Sequence, residues 1–242
     1  MAVPEARTHH RVTFAVLAAG VAAYALLQSL ITPVLTTVQQ HLHTTQSTAT
    51  WALTGYLLSA SVFTPIMGRI GDMWGKKRVF VITLAALAVG SLLAAVATGI
   101  GLMIFARAVQ GVGGGVLPLA FGIIRDEFPR ERIAGAVGAI ASLTAVGGGL
   151  GIVLAGPIVN SLGYPWLFWL PMILTLAAAV AAVVFVPESP IRTPGRLSWL
   201  PAGLLSAWLV ALLVPLSEAT TWGWASAKTL GMLIASVILA AG

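Results

Sequence analysis

The sequence predicts an all-α membrane protein, and three observations lead to that class. Hydrophobic residues make up 58% of the 242-residue chain, charged residues only 8%, and the mean hydropathy is +0.97. Apolar runs of about 20 residues, the length needed to cross a bilayer, recur along the whole chain. Short segments carrying most of the basic residues separate these runs. The chain has no cysteine, which excludes disulfides, thiolate catalysis and cysteine-ligated metals.

The apolar runs predict eight helices, which divide the chain into four parts. Residues 1–11 form an N-terminal tail, 12–186 a six-helix bundle, 187–196 a linker, and 197–242 two additional spans. The first run is too long for the apolar core of a signal peptide, so we expect it to be retained as a helix. The last span is predicted to be truncated, because the chain stops at Gly242. The predicted spans are 13–35, 49–68, 79–97, 101–124, 133–159, 166–186, 197–216 and 229–242.

The basic residues fall on one side of this topology. If successive spans alternate in direction, eleven of the thirteen Lys and Arg residues lie on the same side of the membrane. These are Arg7, Arg11, Arg69, Lys76, Lys77, Arg78, Arg125, Arg130, Arg132, Arg192 and Arg196. Lys228 lies on the opposite face, and Arg107 lies inside the fourth span. The positive-inside tendency therefore predicts a multi-pass protein of the cell (inner) membrane with a cytoplasmic N-terminus. Membrane orientation explains the net charge of +6 better than nucleic-acid binding does.

The segment from Gly68 to Arg78 places five charges between two apolar runs. Charges are costly in hydrocarbon, so we expect this segment to be a loop at the water interface. Any short cytoplasmic loop collects Lys and Arg, but that does not require an aspartate between regularly spaced glycines. The pattern resembles the signature loop of the major facilitator superfamily, which implies a gating role for Gly68, Arg69, Asp72, Gly75, Lys76, Lys77 and Arg78.

An internal repeat supports this resemblance. Gly156, Ile158, Asn160 and Gly163 can be aligned with Gly68, Ile70, Asp72 and Gly75. The copies are three spans apart and so lie on opposite faces, as inverted three-helix repeats require. Four matches in a glycine-rich window can also arise by chance. The predicted fold is thus the N-terminal six-helix bundle of a major facilitator transporter, built from inverted three-helix repeats, plus two further helices.

A buried charge and a glycine-rich span are the main intramembrane features. Arg107 and Gln110 resemble the superfamily's span-four motif, which implies positioning or proton coupling; a snorkelling arginine near the outer end of the span is the alternative. The fifth span resembles the antiporter motif of drug exporters, and close helix packing is the alternative interpretation. The positions that carry this glycine motif are Gly147, Gly151, Gly156 and Pro157.

The pattern of spans resembles the fourteen-span drug:proton antiporter branch, which implies efflux of drugs or other amphipathic small molecules, with protons as a second partner. Span one has no carboxylate, so coupling through that position is not supported. Its polar residues and those of span two are candidates to line a substrate cavity: Tyr24, Gln28, Thr32, Tyr56 and Ser59. We expect a C-terminal half, absent from this sequence, to complete the path. A non-transporting fragment or scaffold that lacks that half is the alternative function.

Enzyme classes are excluded by spacing. No P-loop or dinucleotide fingerprint is complete, and no acid/base or nucleophile constellation lies inside the spans. The four histidines, His9, His10, His41 and His43, lie in terminal or loop segments without a carboxylate at metal-site spacing. We therefore expect no enzymatic activity, no cofactor and no metal.

Overall fold

The computed structural model describes residues 6–188 and 199–241, and this part of the chain is helical. Two 3-10 segments, Thr32–Val34 and Val112–Gly115, each interrupt a membrane-length helical segment. The predicted all-α class is confirmed. Within the described ranges the helices are α1 Ala6–Leu30, α2 Leu35–His41, α3 Gln46–Trp74, α4 Lys76–Ala95, α5 Ile100–Gly111, α6 Val116–Glu127, α7 Arg130–Leu162, α8 Trp166–Phe185, α9 Trp199–Trp222 and α10 Ala227–Ala241.

Five helical segments of the described chain are long and apolar enough to cross a membrane: His10–His41, Lys76–Ala95, Ile100–Glu127, Arg130–Leu162 and Trp166–Phe185. Helix α3 is not among them, although its 29 residues extend about 43 Å at 1.5 Å per residue. Serines, threonines and the charges near its C-terminus lower its hydropathy. In α9 and α10 the apolar segments are shorter, Gly203–Ala219 and Ala227–Ala240.

The predicted signature loop is wrong in its local structure. Gly68 to Trp74 form the last two turns of α3, and Lys76 begins α4, so Gly75 alone separates the two helices. Gly75 has a φ of +111°, a conformation that glycine adopts without steric cost. The reversal therefore needs one residue, and the charged residues lie within the two helices. The predicted N-terminal tail is also partly helical, because α1 begins at Ala6.

The two halves of the six-helix bundle repeat the same sequence of elements. In each half, a helical segment broken by a 3-10 turn precedes a long helix of 29 or 33 residues and then a helix of 20 residues. Gly75 and Gly163 cap the two long helices at their C-termini, with φ values of +111° and +92°. The glycine aligned from sequence is thus structurally equivalent in both repeats.

Two apolar clusters fill the bundle, one towards each end. The cluster nearer the signature segment includes Leu17, Phe80 and Ile123, and the other includes Val38, Met103 and Phe168. Helix α1 packs against α7 and α8, α4 packs against α8 and α5, and α3 packs against α5. Helices of the first repeat therefore pack directly against helices of the second.

Helices α9 and α10 pack on each other, and α9 also packs on α3. The hydroxyls of Thr54 and Ser217 lie 2.9 Å apart across that contact. Most of the predicted linker, including Arg192 and Arg196, lies outside the described residues.

Candidate functional site

A buried polar network surrounds Arg107 between the two apolar clusters. Its Nε donates to the carbonyl oxygen of Ala52 on α3 at 3.1 Å, and its Nη1 donates to Oε1 of Gln110 at 2.6 Å. The guanidinium carbon lies 4.5 Å from the ring centroid of Tyr56, within cation–π range. Arg107 is only 1% exposed. This burial excludes the snorkelling alternative.

The network continues from Gln110 to α4. Nε2 of Gln110 donates to the hydroxyl of Ser91 at 3.0 Å. Gly90 makes this approach possible, because a Cβ there would lie 2.6 Å from Cγ of Gln110 and 2.9 Å from the carbonyl oxygen of Ala106. Arg107 and Gln110 therefore join α5 to both α3 and α4.

No carboxylate of the described residues forms an ion pair with Arg107. Its charge is balanced by neutral acceptors and by the face of an aromatic ring. Burying an ion without a counter-ion costs free energy. Because a guanidinium does not release its proton readily, Arg107 is a fixed source of positive potential. Arg107 can therefore hold and orient neighbouring groups, and its role in proton coupling stays a prediction.

A second polar cluster lies at the end of the bundle that carries the signature segment. Nζ of Lys76 lies 2.7 Å from Oδ2 of Asp126 and 3.3 Å from Oδ1 of Asp72. The Asp126 side chain is 7% exposed, whereas that of Asp72 is 43% exposed. Lys76 therefore joins α4 to α6 through a largely buried contact and to the end of α3 through a more exposed one.

Glu188 is a member of this second cluster that was not predicted from the sequence. Its carboxylate lies 3.5 Å from Nε of Arg78 and occupies the space that a side chain at Gly75 would need. The only available signal was an acidic residue directly after span six, on the same side as the signature segment. Sequence alone did not indicate that the end of α8 returns to the α3–α4 junction.

The remaining signature positions are at the surface or in helix contacts. Arg69 and Arg78 are exposed, and Lys77 is half-buried. A Cβ at Gly71 would overlap the side chain of Leu119 on α6, whereas one at Gly68 would make only an ordinary contact with Pro118.

The glycine face of α7 packs against α1. A Cβ at Gly147 would lie 2.9 Å from that of Ala25, and one at Gly151 would overlap the Ser29 side chain. Ser29 also donates a long hydrogen bond, 3.4 Å, to the carbonyl oxygen of Gly147. Gly156 meets no neighbour, and Pro157 is exposed. Gly147 and Gly151 therefore pack against a neighbouring helix of the bundle, whereas the surface of α7 at Gly156 and Pro157 is uncovered.

The predicted cavity residues differ in their exposure. Tyr24 and Tyr56 are buried in the core, Ser59 donates to the carbonyl oxygen of Ala108 at 2.5 Å, Gln28 is half-buried and Thr32 is exposed. Their role in a substrate cavity stays a prediction. Among the described residues, no group of three or more His, Asp or Glu side chains could hold a metal ion.

Comparison with known proteins assigns the family. Residues 17–242 match the family model described as Major Facilitator Superfamily. The tetracenomycin C resistance and export protein of Streptomyces glaucescens is 29% identical over 232 residues, covering 95% of this chain and 43% of that protein. Multidrug resistance protein 3 of Bacillus subtilis is 31% identical over 189 residues, covering 76% of this chain and 36% of that protein.

The fold agrees with that of a solved transporter. The human organic anion transporter TETRAN superposes with a TM-score of 0.68 at 17% identity, covering 86% of this chain and 56% of that structure. This chain spans less than half the length of the two curated relatives. The chain is an integral membrane protein that belongs to the Major Facilitator Superfamily, a family of transporters rather than enzymes.

Proposed function

We propose that this chain forms one half of an exporter that moves drug-like or other amphipathic small molecules across the membrane. The observation that carries the proposal is the similarity to an antibiotic export protein along 95% of the chain. Similarity to a multidrug resistance protein supports the same substrate class. By resemblance to the drug:proton antiporter branch, the driving force is a proton gradient, with alternating access as the mechanism.

The two polar clusters support this proposal in different ways. Alternating access requires bundles that move largely as rigid bodies. The Arg107 network and the α1–α7 glycine contact supply that rigidity, because they fasten α3, α4 and α5 together and hold α1 against α7. The Lys76–Asp72 ion pair is more exposed than the Lys76–Asp126 contact, so Lys76 and Asp72 can exchange partners as a second half approaches or retreats.

Proton coupling in this half has few candidate carriers. The seven acidic residues include none in span one, and none of the described ones pairs with Arg107. Asp72, Asp126 and Glu188 form the ion pairs of the second polar cluster, which lies at the proposed gate. We propose that they control the gate, and that a second half contributes at least part of the proton path.

The proposed orientation places the N-terminus, the signature segment and the second polar cluster in the cytoplasm. Its support is the distribution of basic residues in the sequence. A cell (inner) membrane location accords with export from the cytoplasm.

Everted membrane vesicles test the proposal. Vesicles would contain the chain alone or together with a second six-helix half, and uptake of ethidium would be followed after a pH gradient is imposed. Gradient-dependent uptake only with both halves supports the proposal. No uptake in either preparation, with both halves inserted, favours the alternative of a non-transporting scaffold.

A further inference from the structure

An apolar groove of about 750 Å³ runs between α1, α7 and α8, and neither polar cluster uses it. Alanines form most of its floor, including Ala19 on α1 and Ala177 on α8. Larger apolar side chains line its edges, where Leu174 and Phe185 are about half exposed. Helix α7 closes the groove where Gly147 packs against α1, and elsewhere it contacts α8 only lightly. The groove is thus open to the outside of the bundle along two spans.

The groove has one charged residue, and it lies at one end. Arg11 lines the groove at the start of the first membrane span, and its side chain is exposed. It forms no ion pair with a carboxylate of the described residues. Arg7 precedes it by one turn of α1. An arginine binds a phosphate group with two parallel hydrogen bonds, and basic residues at the membrane surface attract anionic lipids.

The length of the groove matches one leaflet. Its lining on α1 extends from Arg11 to Leu26, which is about 22 Å along the helix. One leaflet of a bilayer, with its headgroup layer, is about 20–22 Å thick. An occupant whose charge lies at Arg11 would therefore have its apolar part inside the groove as far as the bilayer midplane.

We propose that the groove binds one anionic phospholipid, with its phosphate on Arg11 and an acyl chain along Ala19 and Ala177. The charge at one end, the apolar lining and the leaflet-length depth are together complementary to a phospholipid. A helix of a protein partner would need an apolar surface but no anion at this end. The proposal depends on the membrane location and is independent of the exported substrate.

Native mass spectrometry of the purified chain tests the headgroup contact. The chain would be incubated with phosphatidylglycerol and phosphatidylethanolamine that carry the same acyl chains. The unaltered chain should retain more phosphatidylglycerol, and R11Q should reduce that preference about fivefold, as expected for one basic side chain near a lipid headgroup. R132Q is the matched control, since Arg132 is exposed and lies outside the groove. Equal retention of both lipids, or an unchanged preference in R11Q, would overturn the proposal.

Filling the groove tests the acyl-chain contact. Ala19 and Ala177 are exposed, so the double variant A19F/A177F should fill the groove without entering the core and should lose adducts of both lipids. V153F adds the same ring at an exposed position outside the groove and should keep them. Unchanged adducts in the filled variant contradict the proposal. A filled variant that instead separates a dimer into monomers also contradicts it, because the groove would then be an interface between copies.

Crosslinking to the unaltered chain keeps the proposal testable if the filled variant does not fold. Phosphatidylglycerol with a photoreactive group in its acyl chain should label residues of α1 and α8 that line the groove. Labelling spread evenly over all exposed helices would overturn the assignment.

Discussion

The ammonium group of Lys76 lies 2.7 Å from a carboxylate oxygen of Asp126, although the two residues are fifty positions apart in the chain. This contact joins α4 of the first repeat to α6 of the second. Asp126 is nearly buried, so the contact is shielded from solvent more than an ordinary surface ion pair. A hydrogen bond to a charged group in such a position contributes on the order of 1.5–3 kcal/mol.

Replacing Asp126 should destabilise the bundle. D126N removes the charge but keeps the size of the side chain, so we expect a lower unfolding temperature in detergent. A double-mutant cycle with K76M should show coupling between the two positions. K77M, at a neighbouring half-buried lysine, serves as the control. Strictly additive effects of D126N and K76M would show that the contact does not contribute to stability.

Asp72 should affect transport much more than stability. Its side chain is 43% exposed, and exposed ion pairs contribute only about 0–1 kcal/mol. We therefore expect D72N to insert and unfold like the unaltered chain but to abolish transport in vesicles that contain both halves. Transport at the normal rate by D72N would remove the gating role from this residue.

The protein should tolerate neither removal of the Arg107 side chain nor its replacement by lysine. R107A leaves the side-chain oxygen of Gln110 without this donor and creates a cavity, and R107K cannot reproduce the planar arrangement of donors. Both variants should impair turnover, and R107A should also lower the unfolding temperature. R130A, at an exposed arginine, is the control. Full transport by R107A would limit Arg107 to a dispensable packing role.

The two faces of α7 should respond differently to alanine. G151A introduces a methyl group where Ser29 already lies, whereas a Cβ at Gly149 meets nothing within 4 Å. We expect G151A to lower the unfolding temperature and G149A to leave it unchanged or raise it, because alanine favours a helix by about 1 kcal/mol over glycine. Equal effects of the two substitutions would contradict the packing role of the Gly147–Gly151 face.

Substituting the glycines that cap α3 and α7 distinguishes the effect of backbone strain from the effect of a contact with Glu188. Both have positive φ, so G75A and G163A should each destabilise the chain. Only at Gly75 would the new methyl group also meet the Glu188 carboxylate; at Gly163 the nearest atom is 3.9 Å away. G75A should therefore have the larger effect, and E188A should reduce the difference. An effect of G163A as large as that of G75A would show that the Glu188 contact is unimportant.

Sequence patterns predicted the helical class, a break between two spans within residues 68–78 and the alignment of Gly163 with Gly75, because apolar runs and glycine spacing are local features. They did not predict that Gly68 to Trp74 would be helical, since charges end a membrane span without ending a helix. Glu188 was missed because its contact with the α3–α4 junction depends on how α8 packs. Sequence alone also did not indicate that the ring of Tyr56 lies against Arg107, and the role of Tyr56 in a substrate cavity stays a prediction.

Labelling of single cysteines tests the inverted-repeat topology most directly, because the chain has no cysteine of its own. Lys77 lies in the first turn of α4, just after one capping glycine, and Ser161 is an exposed residue just before the other. In intact cells, a membrane-impermeant maleimide should label S161C and leave K77C unlabelled until the membrane is opened. Labelling of both positions from the same side would contradict the inverted repeat and, with it, the proposed half-transporter.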